Sequence, residues 1–401
     1  MAKSFSYRKS WVLQAVLAGL IVWLSHGILS ETAKITDVTY AAPAQGQADR
    51  KSVVIDRPPL RFIKDPNPSF SAVAVNSDNN MLVVADENLF QILEYDRRDS
   101  TPPQARFTEP KRVISGTATR VEMMCGVYID PKTREIYVLN NDTQPWLPVF
   151  APDAKGNAKP SRFLGGIRGF SLTAHEERQE LFVVNQEDNA VYVYRKQAEG
   201  EEKPLRILRG ADTRMADPHG IALDTKNNLM FVSNFGSAQV SESGQRFGAF
   251  KAPSIAVYPL LASGNTKPLR VIEGPKAKLN WPAHMVFHEE RQELFVANDA
   301  DDSVLVFRAS DEGDVAPIRV IKGSNTGIVH PPGIALDAKL GELYIASMGN
   351  ASITVFPVAA NGNVRPVRTI RGGPAGAVGL NIGNPGAVGY DTKRQQILVP
   401  N

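Results

Sequence analysis

Cysteine is almost absent from this chain, since Cys125 is the only one among 401 residues. One cysteine cannot form an intrachain disulfide, and it cannot supply the Cys-x-x-Cys-His motif that attaches c-type haem. Cys125 opens an apolar run, where a free thiol is usually buried and inert. We therefore expect a fold that depends on apolar packing rather than on a disulfide framework.

An excess of charge of one sign is also lacking. The chain has 45 Lys and Arg against 42 Asp and Glu, a net charge of +3, and it contains no basic block. Proteins that bind the phosphate backbone usually present a strongly basic face. The sequence therefore predicts no nucleic-acid partner. The G-x-S-x-G elbow, the Walker loop and H-E-x-x-H are missing as well, which excludes the enzyme classes that those motifs mark.

Long apolar runs are absent except at the N-terminus. Residues 1–30 carry Lys3, Arg8 and Lys9, followed by an apolar stretch at 11–29. This order predicts an apolar helix that is either a cleaved signal peptide or a retained membrane anchor, and the sequence leaves both open. Residues 31–51 are expected to form a flexible tether. Both alternatives predict an exported protein, periplasmic or in the cell envelope, and held at the inner membrane if the helix is retained.

Repetition, by contrast, is abundant. A phrase of the type Pro-x-Arg-x-(Ile/Leu) occurs seven times, beginning at Pro59, Pro110, Pro160, Pro204, Pro268, Pro317 and Pro366. Phrases of the types Gly-Ile-Ala-Leu-Asp, Leu-Phe-Val-Ala-Asn and Val-x-Val-Phe recur between these copies. A period near 50 residues, built of β-branched runs that are separated by Gly, Asn, Asp and Pro, is typical of a β-propeller.

Each repeat predicts one blade of four strands, a to d, with the Pro-x-Arg phrase as the outermost strand d. The chain ends after strands a and b of the last repeat, while β-like runs stand alone at 52–55 and 60–63. We predict that these two runs are strands c and d of a blade shared by both termini, which closes the ring. The predicted fold is all-β, a seven-bladed propeller over residues 52–401.

These phrases resemble the bacterial YVTN and NHL-type propeller repeats. Leu-Phe-Val-Ala-Asn at 294–298 stands where the YVTN phrase would, and Val-Leu-Val-Phe follows at 304–307. The resemblance covers 52–401 and implies the lactonase-like propeller superfamily, which includes exported scaffolds, ligand-binding propellers, metal-dependent sugar lactonases and a zinc lyase. The phrase Pro218-His219-Gly220 is similar to one that supplies a zinc ligand in the lyases. Fold alone does not choose among these activities.

Functional side chains of propellers usually lie where strand a enters the central channel, and there the repeats differ. The candidate ligand-binding residues just before strand a are Glu122, Arg168, Asp217, His219, Trp281, His284 and His330. Three histidines on successive repeats suit zinc, so a divalent metal is left open, although no cofactor is favoured. The repeated Arg of strand d and the repeated Asn that ends strand b are expected to serve each blade instead.

One connection is longer than its equivalents. Strands b and c are joined by twenty residues at 235–254, against about five in the repeat at 298–304. Long loops in compact repeats are usually functional or disordered. Aromatic and basic side chains together suit a partner surface or a lid, and an unstructured excursion is the alternative. The candidates are Phe235, Arg246, Phe247, Phe250 and Lys251.

The sequence favours an exported, non-catalytic propeller that binds a protein partner or a cell-envelope ligand, because the blades are regular and no catalytic constellation is evident. The alternative is a periplasmic, metal-dependent hydrolase or lyase of the lactonase type, with its site at the channel mouth. A converging set of Glu, Asp, Asn or His at one end of the channel would favour the alternative.

Overall fold

A computed structural model describes residues 53–56, 63, 65–66, 70–76, 78–86, 89–141, 143–236, 239–240, 246–247, 251–350, 352–371 and 386–399. The apolar helix and the tether, which were predicted over 1–51, lie outside these residues. In the described part, the only helices are single 3₁₀ turns, at Thr117–Thr119, Ala211–Thr213, Pro275–Ala277, Asp299–Asp301 and Met348–Asn350. None of these turns has the length and apolar character needed to cross a bilayer.

The β-branched and aromatic phrases form six blades of four antiparallel strands, in which the order along the chain is the order in the blade. The first three blades are β2–β5 (Phe70–Asn76, Met81–Asp86, Gln91–Asp96, Arg112–Ser115), β6–β9 (Met124–Ile129, Ile136–Asn140, Trp146–Phe150, Arg162–Gly165) and β10–β13 (Ser171–His175, Glu180–Asn185, Ala190–Arg195, Arg206–Arg209). The fourth blade is β14, β15, β18 and β19 (Pro218–Asp224, Leu229–Asn234, Ser254–Pro259, Arg270–Glu273). The fifth and sixth are β20–β23 (Pro282–His288, Glu293–Asn298, Ser303–Arg308, Arg319–Lys322) and β24–β27 (Gly333–Asp337, Glu342–Ser347, Ser352–Pro357, Arg368–Arg371). The predicted all-β propeller is confirmed.

The remaining strands lie outside this four-stranded pattern. They are β1 (Val53–Asp56), the hairpin β16 and β17 (Gln239–Val240 and Arg246–Phe247) and the hairpin β28 and β29 (Gly389–Asp391 and Gln396–Leu398).

The core lies between neighbouring blades. Strands β11 and β21, each the second strand of its blade, are buried along their whole length because adjacent blades cover both faces of the sheet. Between blades five and six, Phe295 and Val304 belong to one apolar cluster with Ile345 and Phe356. The hydrophobic effect therefore stabilises each blade only together with its neighbour.

The arginine of the strand d phrase makes a repeated contact at the outer rim. In blade three Arg206 lies 2.7 Å from Glu180, and in blade five Arg319 lies 2.7 Å from Glu293. Both glutamates open strand b of the same blade and are largely buried. The prediction that the strand d arginines make local salt bridges or pack by their aliphatic part is confirmed, as a salt bridge, in blades three and five.

The C-terminal hairpin β28–β29 lies between blade six and blade one. Tyr390 and Ile397 pack on the apolar cluster of blade six, whereas Leu398 packs on the cluster of blade one. The hairpin therefore occupies the place of strands a and b in a further blade.

A buried ion pair joins this hairpin to blade one. Arg97 Nη1 lies 2.6 Å from Asp391 Oδ2, and both side chains are fully buried. Lys196 of blade three approaches Asp130 of blade two in the same way, at 2.8 Å. In both cases a cation that follows strand c meets the aspartate that follows strand a of the preceding blade. The hairpin is thus attached to blade one by the same kind of ion pair that joins blades two and three.

Strand β1 is not strand c of a further blade, so that part of the closure predicted for 52–55 is wrong. It pairs in parallel with β27, outside blade six, with Ile55 opposite Ile370. At five other junctions the equivalent strand d residue forms one parallel bridge with a glycine, of which Gly362 is the last. Each glycine stands four residues before the proline of its strand d phrase, and Ile55 stands four residues before Pro59. β1 therefore takes the place of a c–d connection.

Of the strand d predicted at 60–63, only Ile63 belongs to the described residues. It packs on the apolar cluster of blade one, together with Leu398 of the C-terminal hairpin. The structure thus shows six complete blades and parts of both termini at the seventh position.

Candidate ligand-binding site at the channel mouth

Three residues at the channel mouth, the end of the ring where each strand a begins, share a strained backbone. Asp217, Trp281 and His330 have φ angles of 54°, 52° and 44°, and each precedes the proline that leads towards strand a. The carbonyl group of each accepts a hydrogen bond of 3.0–3.1 Å from the amide that follows strand b. A left-handed backbone is costly for a residue with a Cβ atom, and a bulky residue such as tryptophan is rarely found there. The surrounding structure therefore holds the backbone of these three residues in a fixed conformation.

The asparagines that end strand b support this geometry. Asn234 accepts a hydrogen bond from the Ala216 amide at 3.0 Å, and Asn298 accepts one from the Asn280 amide at 2.7 Å. Both asparagines are fully buried. They hold the segment ahead of strand a. Asn185 of blade three makes the expected contact with the b–c turn instead, since it accepts a hydrogen bond of 2.7 Å from the Asp188 amide. The repeated asparagine therefore has a structural cause, as expected.

The register shows that one candidate is misplaced. Met123, rather than Glu122, is the residue of blade two equivalent to Asp217, because its carbonyl accepts the amide that follows strand b. Glu122 stands one residue earlier, where its own amide donates to Asn140. The sequence could not reveal this shift, because the Met-Cys-Gly segment of blade two lacks the proline that marks the later blades.

Four rings from three blades stack at the mouth. The ring of His219 lies parallel to that of Phe235, with centroids 3.5 Å apart and an interplanar angle of 5°. Phe170 packs on His219 at 4.2 Å with a tilt of 58°, and Phe235 stacks on Trp281 at 5.6 Å and 12°. Each such pair contributes on the order of 0.5–1.5 kcal/mol beyond area burial. The stack runs from Phe170 through the buried His219 and Phe235 to Trp281, which is 51% exposed.

Two of the candidate histidines lie close together at the inner end of this stack. His219 Nδ1 is 3.0 Å from the carbonyl oxygen of Asp217 and 3.5 Å from its carboxylate. The pKa of His284 is lowered to about 4, first because burial disfavours the charged imidazolium and then because His219 is near. His284 is therefore neutral at pH 7.

Two further candidates form ion pairs at the mouth. Arg168 Nη1 lies 3.1 Å from Glu187 of the same blade, and the exposed His330 has its Nδ1 3.7 Å from Asp299 Oδ1. Burial raises the pKa of Asp299, and the nearby His330 offsets only part of this rise. Among the described residues, Asp299 Oδ1 has no hydrogen-bond donor although it is buried.

Among the described residues, the side chains at the mouth do not fit the divalent metal that the resemblance to metal-dependent lactonases implies. A zinc site needs at least three converging ligand atoms. His219 lies between two aromatic rings with its Nδ1 towards Asp217, whereas His330 is exposed and faces Asp299. In the part of the chain that the structure describes, no group of three or more His, Cys, Asp or Glu residues could hold a metal ion.

The long connection of blade four contains the hairpin β16–β17, which begins next to the ring stack. Its base is closed by a hydrogen bond of 3.0 Å from the Lys251 amide to the Gly236 carbonyl. Gly236 has φ 83°, and a Cβ atom there would lie 2.2 Å from the Lys251 carbonyl oxygen, so only glycine fits. The connection is thus fixed at its base beside Phe235.

The predicted partner-loop residues are distributed over this connection. Phe235 belongs to the ring stack, Lys251 closes the base, Arg246 and Phe247 form β17, and Phe250 lies outside the described residues. Sequence reasoning therefore placed Phe235 in the right loop but missed its contact with His219, which is sixteen residues away along the chain. It also missed Phe170 and Asp299, which the alignment of blade registers could have found.

Comparison with known proteins agrees with this architecture. Residues 243–377 match the model of a family described as "Lactonase, 7-bladed beta-propeller". Among solved structures, the chain is similar to the WD40 β-propeller domain of Doa1, with a TM-score of 0.57 and 12% identity over 84% of this chain and 91% of that chain. At this identity the likeness shows the fold alone. No curated protein matches the sequence. The predicted resemblance to lactonase-like propellers is confirmed.

Proposed function

We propose that this chain is an exported, seven-bladed propeller that binds a protein partner or a cell-envelope ligand at its channel mouth without catalysing a reaction. The observation that carries the proposal is the ring stack that ends in the half-exposed Trp281. Binding sites commonly combine a rigid aromatic surface with a few well-placed polar groups. Asp299 and His330 are polar groups that lie beside Trp281 in this mouth.

The seventh blade is supported by both termini. The hairpin β28–β29 supplies strands a and b, and Ile63 packs where the end of strand d is expected. β1 precedes that strand in the register of a c–d connection. A ring that is closed in this way protects its strand edges and gives the mouth a fixed geometry.

Export is supported by the order of charges and apolar residues in the first thirty positions. Basic residues such as Lys3 and Arg8 before an apolar run remain on the cytoplasmic side, so the propeller should cross the membrane. Alkaline phosphatase fused after Asn401 should then be active, whereas a reporter that functions only in the cytoplasm should be silent. N-terminal sequencing of the mature protein distinguishes a cleaved signal from a retained anchor.

A lactonase-type hydrolase is the second candidate, because the family match spans 243–377 and includes Trp281, His284 and His330. The two functions are separated by incubating the purified protein with Zn²⁺, Mn²⁺ or Ca²⁺, dialysing it, and measuring bound metal and hydrolysis of a γ-lactone. The binding function predicts less than one metal ion per chain and no hydrolysis. One tightly bound ion that is lost in His219→Ala together with hydrolysis would overturn it.

A further inference from the structure

The aromatic surface of Trp281 is exposed yet rigid. The residue keeps a strained φ of 52°, its carbonyl is bound by the Asp299 amide at 3.1 Å, and Phe235 packs against the indole. Little side-chain freedom is left for a ligand to remove, so stacking on this ring carries a small entropic cost. A single exposed tryptophan would be unremarkable. The strain and the stacking together indicate a surface that is held ready for contact.

Another partly exposed tryptophan of this chain, Trp146, binds a cation on its ring. In blade two the guanidinium carbon of Arg120 lies 4.1 Å from the centroid of Trp146 and 4.0 Å from that of Phe163. This arrangement is a cation–π sandwich. Over Trp281, no Lys or Arg of the described residues takes the corresponding position.

The charges around Trp281 favour a positive ligand. Asp301, at the same turn as Asp299, is already paired with Lys322 of strand d. Asp299 is paired only with His330, an imidazole rather than a permanent cation, and its buried Oδ1 has no hydrogen-bond donor among the described residues. A cation seated on the indole would add positive charge near Asp299, whereas an anion would be repelled by the Asp299 carboxylate.

We propose that the channel mouth binds an organic cation whose alkylated ammonium group rests on the indole of Trp281 and is neutralised by Asp299. This inference rests on the proposed binding function and names the chemistry of the ligand. Because the indole face attracts cations and the carboxylate excludes anions, charge is the main determinant of selectivity at this site.

The test is equilibrium dialysis of the full-length protein with choline and with its uncharged isostere 3,3-dimethyl-1-butanol, with glucose as a third probe. Choline should bind about tenfold more tightly than the isostere, the difference that a partly desolvated cation–π contact provides. Trp281→Ala and Asp299→Asn should each weaken choline binding by about tenfold. Trp146→Phe is the matched control and should bind choline as the unaltered chain does, because Arg120 already covers that ring. Thermal melts confirm that each variant is folded.

Three results would overturn the inference that the ligand is a cation. Equal binding of choline and the isostere, or binding of glucose that is lost in Trp281→Ala, would show a neutral ligand at this site and leave the binding function intact. Failure of choline to bind at millimolar concentration would also overturn the inference. The metal and lactone measurements test the binding function separately, so the two proposals can fail independently.

Discussion

The rim and the mouth of the propeller use equivalent positions of the blades in opposite ways. At the rim, Glu180 and Glu293 each bind an arginine of strand d at 2.7 Å. At the mouth, equivalent positions carry Asp217, Trp281 and His330, whose contacts are unlike one another. A contact that recurs around a ring can stabilise every blade, but it cannot define one direction. Positions that differ from blade to blade can form one asymmetric site.

The largest expected effect concerns the contact that joins the C-terminal hairpin to blade one. Arg97→Met removes the nearer cation of the fully buried Asp391 and leaves Arg394 at 3.8 Å, and breaking a buried pair in this way costs up to about 3–5 kcal/mol. The free energy of unfolding from denaturant titration measures the loss. Because the pair joins the hairpin to blade one, we expect the propeller to lose stability, not the hairpin alone.

The double variant Arg97→Met with Asp391→Leu is the control, since replacing both partners by apolar groups should restore most of the loss. Lys196→Met tests the equivalent contact between blades two and three. If Arg97→Met leaves the free energy of unfolding unchanged while Lys196→Met lowers it, the hairpin does not pack on blade one as a complete blade packs on its neighbour.

At the mouth, His284 should make stability depend on pH. Its folded-state pKa of about 4 lies below the ordinary value of 6.5, so the unfolded chain binds a proton more readily than the folded one. The contribution of neutral His284 to the free energy of unfolding is therefore fully present above pH 6.5. It decreases by roughly 3 kcal/mol as pH falls towards 4. His284→Asn should remove that share of the loss, as measured by unfolding at pH 7 and pH 4. Equal pH dependence in the variant and the parent would contradict the burial of a neutral imidazole.

At the rim, Glu180→Gln and Glu293→Gln should have matching effects. Each removes a carboxylate that accepts hydrogen bonds from two arginines, and the expected loss is about 2 kcal/mol. Because the two sites lie in different blades and share no partner, the double variant should lose the sum of the single losses. Unequal or strongly non-additive values would show that the repeated contact is not equivalent in the two blades.

The rim carboxylate of Glu293 should also make the stability of the protein depend on pH in acid. Burial raises the pKa of Glu293, but hydrogen bonds from Arg319 and Arg291 lower it to about 2, below its ordinary 4.5. The stability that this pair provides is therefore present above pH 4.5 and declines as pH falls towards 2. Acid unfolding of Glu293→Gln should lack this component.

The repeated part of the fold could be predicted from sequence because each blade restates it. Strand d, its local salt bridges and the structural use of the repeated asparagine follow from phrases that recur at fixed offsets, although Asn234 and Asn298 hold the segment ahead of strand a and not the b–c turn that was expected. The run at 52–55 was assigned to the wrong strand because a β-branched run looks the same whether it pairs in parallel or antiparallel. Ile55 stands as many residues before Pro59 as each bridging glycine stands before the proline of its own blade. This spacing along the sequence identifies the run as a c–d connection.

The asymmetric part could be predicted only as a location. Trp281, His219 and His284 were identified at the mouth because they precede strand a where the repeats differ. Their partners could not be identified, because Phe170 lies in another blade and Phe235 opens an insertion. Contacts between side chains that do not recur leave no periodic trace, so the stack required coordinates.

The smallest expected effect is that of Trp281 on stability. Trp281→Ala should cost less than about 1 kcal/mol, since the ring is half exposed and its stacking on Phe235 is one weak aromatic contact. Trp281→Gly should be at least as stable as Trp281→Ala, the reverse of the usual order, because alanine retains the cost of the left-handed φ of 52° and glycine does not. Thermal melts of both variants give the comparison. If glycine proves less stable than alanine, the backbone is not held as described, and if either variant loses several kcal/mol, Trp281 belongs to the folding core. A small loss in this order would mean that the chain keeps a strained tryptophan at the mouth for binding, since folding gains little from it.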